Sequence, residues 1–255
     1  MDVYENRAVV LAAARTAKDK MHDPTREEDG KWHASDLFQC LRQLIATRKQ
    51  GKKDFNAAEL IKFGAAFGIQ EYFFGEEEEG VLYPPHAEDC EYEHEKKNWS
   101  VCECDGVICS ADGHIKGDSI LEFKTTGIYP RYFPDMPLKQ WVDRTVLYCA
   151  VHDLDTAHIM CYFNSGRPKD GIKSVARGWT IEVTQEDKDA VTRTLMERKD
   201  IADRAVASGT VPPVETRRYT WECDYCPFKE ELDCHAQLVA AGMETKGKYS
   251  EPWTA

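Results

Sequence analysis

Between Trp99 and Thr126 the chain passes through two β-rich segments, 100–109 and 117–125, on either side of Asp112-Gly113. Asp-Gly is among the strongest short-range signals for a tight turn between strands. A hairpin closing near Gly113 and His114 would set Asp105 directly across from Glu122. Side chains two apart on a strand share a face, so Glu122 and Lys124 would point the same way. One surface would then carry two carboxylates and an ammonium. Carboxylates at that separation repel unless a hard cation lies between them, and Mg²⁺ or Mn²⁺ is its natural identity. A lysine beside such an ion can orient a water or steady the charge gathering on a phosphate.

The 255-residue chain has room for one sizeable core, so a single domain over residues 1–255 is expected. A hydrophobic content of 42% with 31% charged residues describes a soluble globular protein. No apolar run approaches the ~20 residues needed to span a bilayer. The early Ala-Val-Val-Leu-Ala-Ala-Ala run follows Asp2 and Glu5, which suits an amphipathic helix better than a signal peptide. A cytoplasmic location without membrane partners follows as the expectation. The net charge of −12 argues against nucleic-acid binding over the whole surface and leaves room only for a local basic groove.

Along the chain, helical spacing covers residues 3–20, and Ser35 is placed to cap a helix running through Cys40 and Arg42. A further helix is expected over 57–74, ahead of the solvated acidic run at 76–79. After the hairpin, three prolines make 128–137 irregular; helical periodicity returns over 138–152. Strands are expected at 157–165 and 178–184, with a polar, basic loop between them and a long helix at about 185–207. That order suits an α/β core with a mixed central sheet flanked by helices.

Of ten cysteines, three stand in Cys223-x2-Cys226 with Cys234 eight residues on. Three soft ligands at that spacing leave one vacancy around a metal centre. A four-thiolate site accepts zinc or an iron–sulfur cluster, and spacing does not choose between them. Cys102 and Cys104 would share one strand face, with Cys109 and Cys90 nearby; they read as small packed hydrophobes, like Cys149 and Cys161.

Asp105-Gly-Val-Ile followed by Ile120-Leu-Glu122-Phe-Lys124-Thr-Thr resembles the active-site signature of the PD-(D/E)XK nuclease superfamily, most nearly its RecB-like branch. The segment Ser35-x-Leu37-x-x-Cys40-x-Arg42 and the C-terminal Cys-x2-Cys-Pro are similar to that branch too, in the same order. The resemblance implies a restriction-endonuclease-like α/β core. It also implies a [4Fe–4S] cluster on Cys40, Cys223, Cys226 and Cys234, as in AddB-type, CRISPR-associated and phage relatives. Such a cluster would close a loop of over 180 residues and clamp segments 33–50 and 215–240 into one subdomain. It implies a metal site on Asp105 and Glu122, with the Phe123 carbonyl as a further ligand and Lys124 acting on the attacking water.

Two positions depart from the pattern. The branch often has a histidine four residues after a helix glycine, and counting from Gly64 lands on Gly68. Glu71, three residues further, would lie on the same helix face and supply an oxygen instead. A glutamine often stands four residues before a helix tyrosine; before Tyr148 that position is Arg144, which suits a phosphate. Arg131, Lys139, Arg144 and Tyr148 are thus the candidate nucleic-acid contacts, with Tyr129, Tyr132 and Trp141 interleaved for stacking. The reading is a Mg²⁺- or Mn²⁺-dependent exonuclease on single-stranded DNA or DNA ends, with recombination or CRISPR-type protein partners. Its rivals are a non-catalytic nucleic-acid-binding or assembly module of the same fold and a zinc-stapled structural protein.

Overall fold

The computed structural model describes residues 31–50, 64–65, 69, 94–95, 102–104, 107–109, 113–115, 119–219 and 222–243. The chain divides into two units, residues 1–30 with 53–96 and residues 31–52 with 97–255. In the first unit the described positions are helical at 64–65 and 69 and extended at His94–Glu95. The expected helix over 3–20, most of that over 57–74, and the residues Asp105 and Glu71 lie outside the described residues.

The second unit runs β1 (Trp32–His33), α1 (Ala34–Leu37), α2 (Leu41–Gln50), β2 (Cys102–Cys104), β3 (Val107–Cys109), β4 (Gly113–Ile115), β5 (Ser119–Thr126), α3 (Lys139–His152), β6 (Thr156–Phe163), β7 (Ala176–Glu182), α4 (Gln185–Ser208), α5 (Glu222–Tyr225) and α6 (Cys234–Ala240). A small mixed sheet has the order β1-β3-β2, with β1 parallel and β2 antiparallel to β3. A larger one runs β4-β5-β6-β7 within this unit. There β4 and β5 are antiparallel, β5 and β6 parallel, and β6 and β7 antiparallel. Consecutive parallel strands require a crossover, and α3 supplies it.

Burial follows the sequence pattern strand by strand. The first five residues of β5 are all buried, as in a strand covered on both faces. In β6, Ala157, Ile159, Cys161 and Phe163 alternate inward with half-buried neighbours. No residue of β7 is fully buried, so it has the character of an edge strand. The long helix α4 opens on a capping box between Thr184 and Asp187 and ends at Gly209, whose φ of 67° is left-handed. Its Val191, Leu195, Ala202 and Ala205 pack into the core formed with Trp32, Leu37, Leu41, Ile45, Ile120 and Leu147. No helix among the described residues is long and apolar enough to cross a membrane.

Two expectations need correction. The single hairpin across 112–113 is replaced by two pairings in different sheets. β2 pairs with β3, Cys104 opposite Val107, leaving only positions 105 and 106 between them. β4 pairs with β5, Gly113 opposite Leu121, so Gly113 lies in a strand rather than a turn. Asp105-Gly106 is itself an Asp-Gly pair, and the sequence offered two equivalent turn signals seven residues apart. The helix expected from Ser35 through Arg42 also breaks between Leu37 and Leu41. Ser35 lies inside α1, and His33 holds the N-cap without a side-chain bond. The carbonyls of Leu37 and Gln39, free to continue a helix, accept instead from the guanidinium of Arg198.

Candidate active site and cysteine region

Glu122 lies mid-strand in β5, opposite Ile159, with only 2% of its surface exposed. A carboxylate stripped of water at that depth needs a compensating charge. Lys124, two residues on and therefore on the same face, forms an ion pair with the Glu122 Oε1. Its Nζ also donates to the Phe123 carbonyl at 3.1 Å. One ammonium thus bridges a carboxylate and a backbone oxygen from three successive residues. Lys124 stands opposite Cys161 on β6, and it counteracts there the burial that pushes the Cys161 thiol up to about 12.

The helix α3 packs over β5 and β6 and carries several expected nucleic-acid contacts. Tyr148 is buried in the core beside Leu147 and Cys149. Arg144 is half-buried. Lys139 donates to both carboxylate oxygens of Asp143, at 2.9 and 3.0 Å. Asp143 accepts as well from Arg218 Nη2 at 2.8 Å and from the Tyr219 hydroxyl at 3.0 Å. Burial and that carboxylate raise the Tyr219 phenol above its ordinary value. One turn before Arg144 stands a glutamine. Gln140 is buried, and its Oε1 has no hydrogen-bond partner among the described residues. Trp141 is buried too, stacked on Phe133 at 5.5 Å between ring centroids. Arg131 is exposed.

The cysteines from the two ends of the second unit come into electrostatic range of one another. Burial pushes the Cys40 thiol up to about 12, and Glu222 and Cys226 push in the same direction. Burial also raises Cys226, with Cys234 and Cys223 contributing. Arg217 Nη1 donates to the Cys223 sulfur at 3.7 Å. Among the described residues no three His, Cys, Asp or Glu side chains close around one point to grip an ion.

The same region is held by charged side chains that spacing did not single out. Glu222, 5% exposed, accepts from the Cys40 amide at 2.7 Å, the Tyr219 amide at 2.9 Å and the Arg218 amide at 3.1 Å. Burial raises its pKa against the pull of those three bonds. Arg42 donates to the Pro212 and Leu232 carbonyls, both at 2.8 Å. Arg198 holds the Leu37 and Gln39 carbonyls just before Cys40. The available signal was a charged residue among apolar ones at Arg42, which follows Leu41 and precedes Leu44 and Ile45.

No family model matches the sequence, and no curated protein matches it. Among solved structures the chain is similar to the crystal structure of SSO0001, at 15% identity over 91% of this chain and 98% of that one, with a TM-score of 0.48. It is similar to LHK-Exo in complex with dAMP, the alkaline exonuclease from Laribacter hongkongensis, at 13% identity over 70% of this chain and 91% of that one, with a TM-score of 0.43. A phage-related exonuclease from Haemophilus somnus 129PT matches at 14% identity over 71% of this chain and 96% of that one, with a TM-score of 0.44.

Proposed function

We propose that the protein is a metal-dependent DNA exonuclease that hydrolyses phosphodiester bonds on single strands or DNA ends. The observation that carries this reading is the bridge made by the Lys124 ammonium between the Glu122 carboxylate and the Phe123 carbonyl. The ammonium marks a place, deep against the sheet, where two hard oxygens converge on one positive charge. That donor chemistry suits Mg²⁺ or Mn²⁺, which take oxygen ligands and keep several waters. Glu122 and the Phe123 carbonyl would hold the ion, with Asp105 as a further oxygen. A bound ion supplies Lewis-acid stabilisation of the phosphate and of the leaving oxygen.

The chain's own groups then have separate tasks. Glu122, fixed by the pairing of its strand position with Ile159 of β6, keeps its oxygens in place without loop motion. Lys124 would hold the water whose oxygen forms the new bond to phosphorus as the bond to the leaving oxygen breaks. The water's proton passes to solvent, and the leaving oxygen takes one up. Cys40, Cys223, Cys226 and Cys234 would hold a structural [4Fe–4S] cluster; four thiols in one electrostatic neighbourhood are the donor set it needs.

The deciding experiment uses end-labelled single- and double-stranded DNA with Mg²⁺, Mn²⁺ or chelator. Release of nucleotides with either metal, abolished by chelator and by Glu122→Gln, supports the reading. Tight DNA binding without cleavage under any metal would replace it with a binding or assembly module. Iron with inorganic sulfide in anaerobically purified protein supports the cluster, whereas one stoichiometric zinc would replace it with a structural zinc site.

A further inference from the structure

We infer that the two loops leaving the carboxyl ends of β5 and β6 form a platform on which the bases of an unpaired DNA strand stack. The platform rests on the proposed nuclease reading for the identity of its ligand. Its geometry stands apart from the Glu122–Lys124 pair.

β5 and β6 are parallel, so residues 127–135 and 164–175 emerge at the same end of the sheet. In open α/β sheets that end is where ligands collect. The two loops are bonded to each other: the Asn164 amide donates to the Thr126 carbonyl at 3.0 Å, and the Ser165 hydroxyl to the Ile128 carbonyl at 3.2 Å. On this joined surface, guanidinium groups and phenol rings interleave. Arg131 lies over Tyr132 at 4.5 Å and over Tyr129 at 5.4 Å. Arg167, from the second loop, reaches Tyr129 at 6.0 Å. Tyr132 is 66% exposed, so its ring face is open to a partner. Lys169 and Lys173 follow on the second loop, both exposed. Among the described residues neither Arg131 nor Arg167 has a carboxylate within ion-pair distance.

The platform is rigid before any ligand arrives. From β7, Arg177 donates to the Pro130 carbonyl at 2.9 Å, the Pro134 carbonyl at 3.0 Å and the Phe133 carbonyl at 3.3 Å. Trp179 Nε1 donates to the Asp135 carbonyl at 2.8 Å. Four bonds from one strand therefore fix the backbone that carries the rings. On the other loop, Gly166 lies so close to its neighbour that a Cβ there would stand 2.0 Å from the Ser174 carbonyl oxygen. Only glycine lets that loop fold back on itself.

Accessible rings alternating with cations are the chemistry that binds single strands irrespective of sequence. On a chain of net charge −12, local cations without acidic partners also confine a polyanion to this place. Lys124 and Tyr129 are five positions apart in sequence, a span of at most ~18 Å. A stacked strand rises about 3.4 Å per nucleotide, so at most roughly five nucleotides bridge the platform and the site.

The test is fluorescence anisotropy of a labelled twelve-residue oligothymidylate with the full chain in chelator, where no cleavage occurs. Tyr132→Ala and Tyr129→Ala are each expected to weaken binding by about tenfold, the equivalent of about 1.4 kcal/mol, while Tyr132→Phe binds as the parent does. An abasic strand of equal length is expected to bind weakly and to be insensitive to the tyrosine changes. Arg167→Gln should lower the slope of binding against salt by about 0.7. Unchanged binding by both alanine variants, or an abasic strand bound as tightly as the thymidylate, overturns the platform. Glu122→Gln separates the two readings. If it binds the strand at parental affinity and cannot cleave it, both stand. Binding that depends on the tyrosines with no cleavage by the parent under any metal keeps the platform and sinks the nuclease. Cleavage that survives both alanine variants with unchanged affinity does the reverse.

Discussion

Strand β5 and the cysteine-bearing ends of the second unit both bury charge, and they stabilise it by different means. In β5 the charge is local: Glu122 and Lys124 are two residues apart, and the parallel pairing with β6 sets their geometry. At the ends it is long-range: Glu222 bonds an amide 182 positions away, and Arg42 and Arg198 reach carbonyls across comparable separations. A local pair is completed within one strand, so its carboxylate can be neutralised in place without loosening any distant segment. Long-range charges on backbone carbonyls join segments far apart, so removing one leaves polar groups stranded. Isosteric neutralisation should therefore cost the first region its activity and the second its stability.

The largest expected effect separates them outright. Glu122→Gln preserves shape and should cut cleavage of labelled DNA by about 10³-fold, with little change in thermal unfolding. Lys124→Met should lose activity to a similar degree. It also leaves the Glu122 carboxylate buried without its ion pair, at a cost of about 3–5 kcal/mol. If Lys124→Met unfolds at the parental temperature, Glu122 is compensated by something other than this pair.

Next in size is a contest within the clamp. Arg198→Met strips the buried Leu37 carbonyl and the part-buried Gln39 carbonyl of their donor and should cost about 2–4 kcal/mol in urea unfolding. Cys226→Ser in chelator should cost less, because the hydrogen bonds of Arg42, Arg198 and Glu222 remain. A Cys226→Ser variant as unstable as Arg198→Met in metal-free protein would show that the thiols themselves carry the clamp.

A smaller effect is a pH slope. Burial raises the Glu222 pKa above its ordinary 4.5, so in the window above that value the folded state holds a proton that the unfolded chain releases. Stability then falls as pH rises from 4.5 through the folded-state value. Urea midpoints measured across that window should decline for the parent, and the decline should flatten in Glu222→Gln. An identical slope in both would assign the titration to another group.

The smallest expected effect lies outside both regions and calibrates them. Thr184→Ala removes the α4 cap and should cost about 1 kcal/mol. The Thr184 bonds also hold the Asp187 pKa below its ordinary 3.8. That contribution is present above 3.8 and lost as pH falls through the lowered value, opposite in sign to Glu222. Thermal melts of Asp187→Asn against pH would detect it.

How much of this was legible depended on whether the signal was periodic or long-range. The strand around Glu122 and Lys124, helix α3 and helix α4 follow from apolar periodicity and come within a few residues of the expected bounds. The turn at 112–113 misled because a second Asp-Gly, at 105–106, offered the same local geometry. The break at Phe38–Cys40 was invisible for another reason: its cause, Arg198, lies 161 positions away. Glu222 was hidden likewise, since nothing near it in sequence announces a bond to the Cys40 amide. Of the candidate site, alternation places Glu122 and Lys124 on one face, whereas the Phe123 carbonyl is implied only by the resemblance. The burial of Gln140 depends on packing that its neighbours in sequence do not reveal.

The bonds from Arg198, Pro212, Glu222 and Leu232 back to residues 37–42 also have a consequence for how the protein is made. The first segment leaves the ribosome 182 residues before its Glu222 partner is synthesised. At about 5–20 residues per second, that is a wait of roughly 10 to 40 s. Throughout it Leu37, Leu41 and Ile45, all fully buried at the end, have no finished surface to cover them. The second unit closes last where its chain began first, and the nascent chain presents Leu37, Leu41 and Ile45 to whatever meets it in the interval.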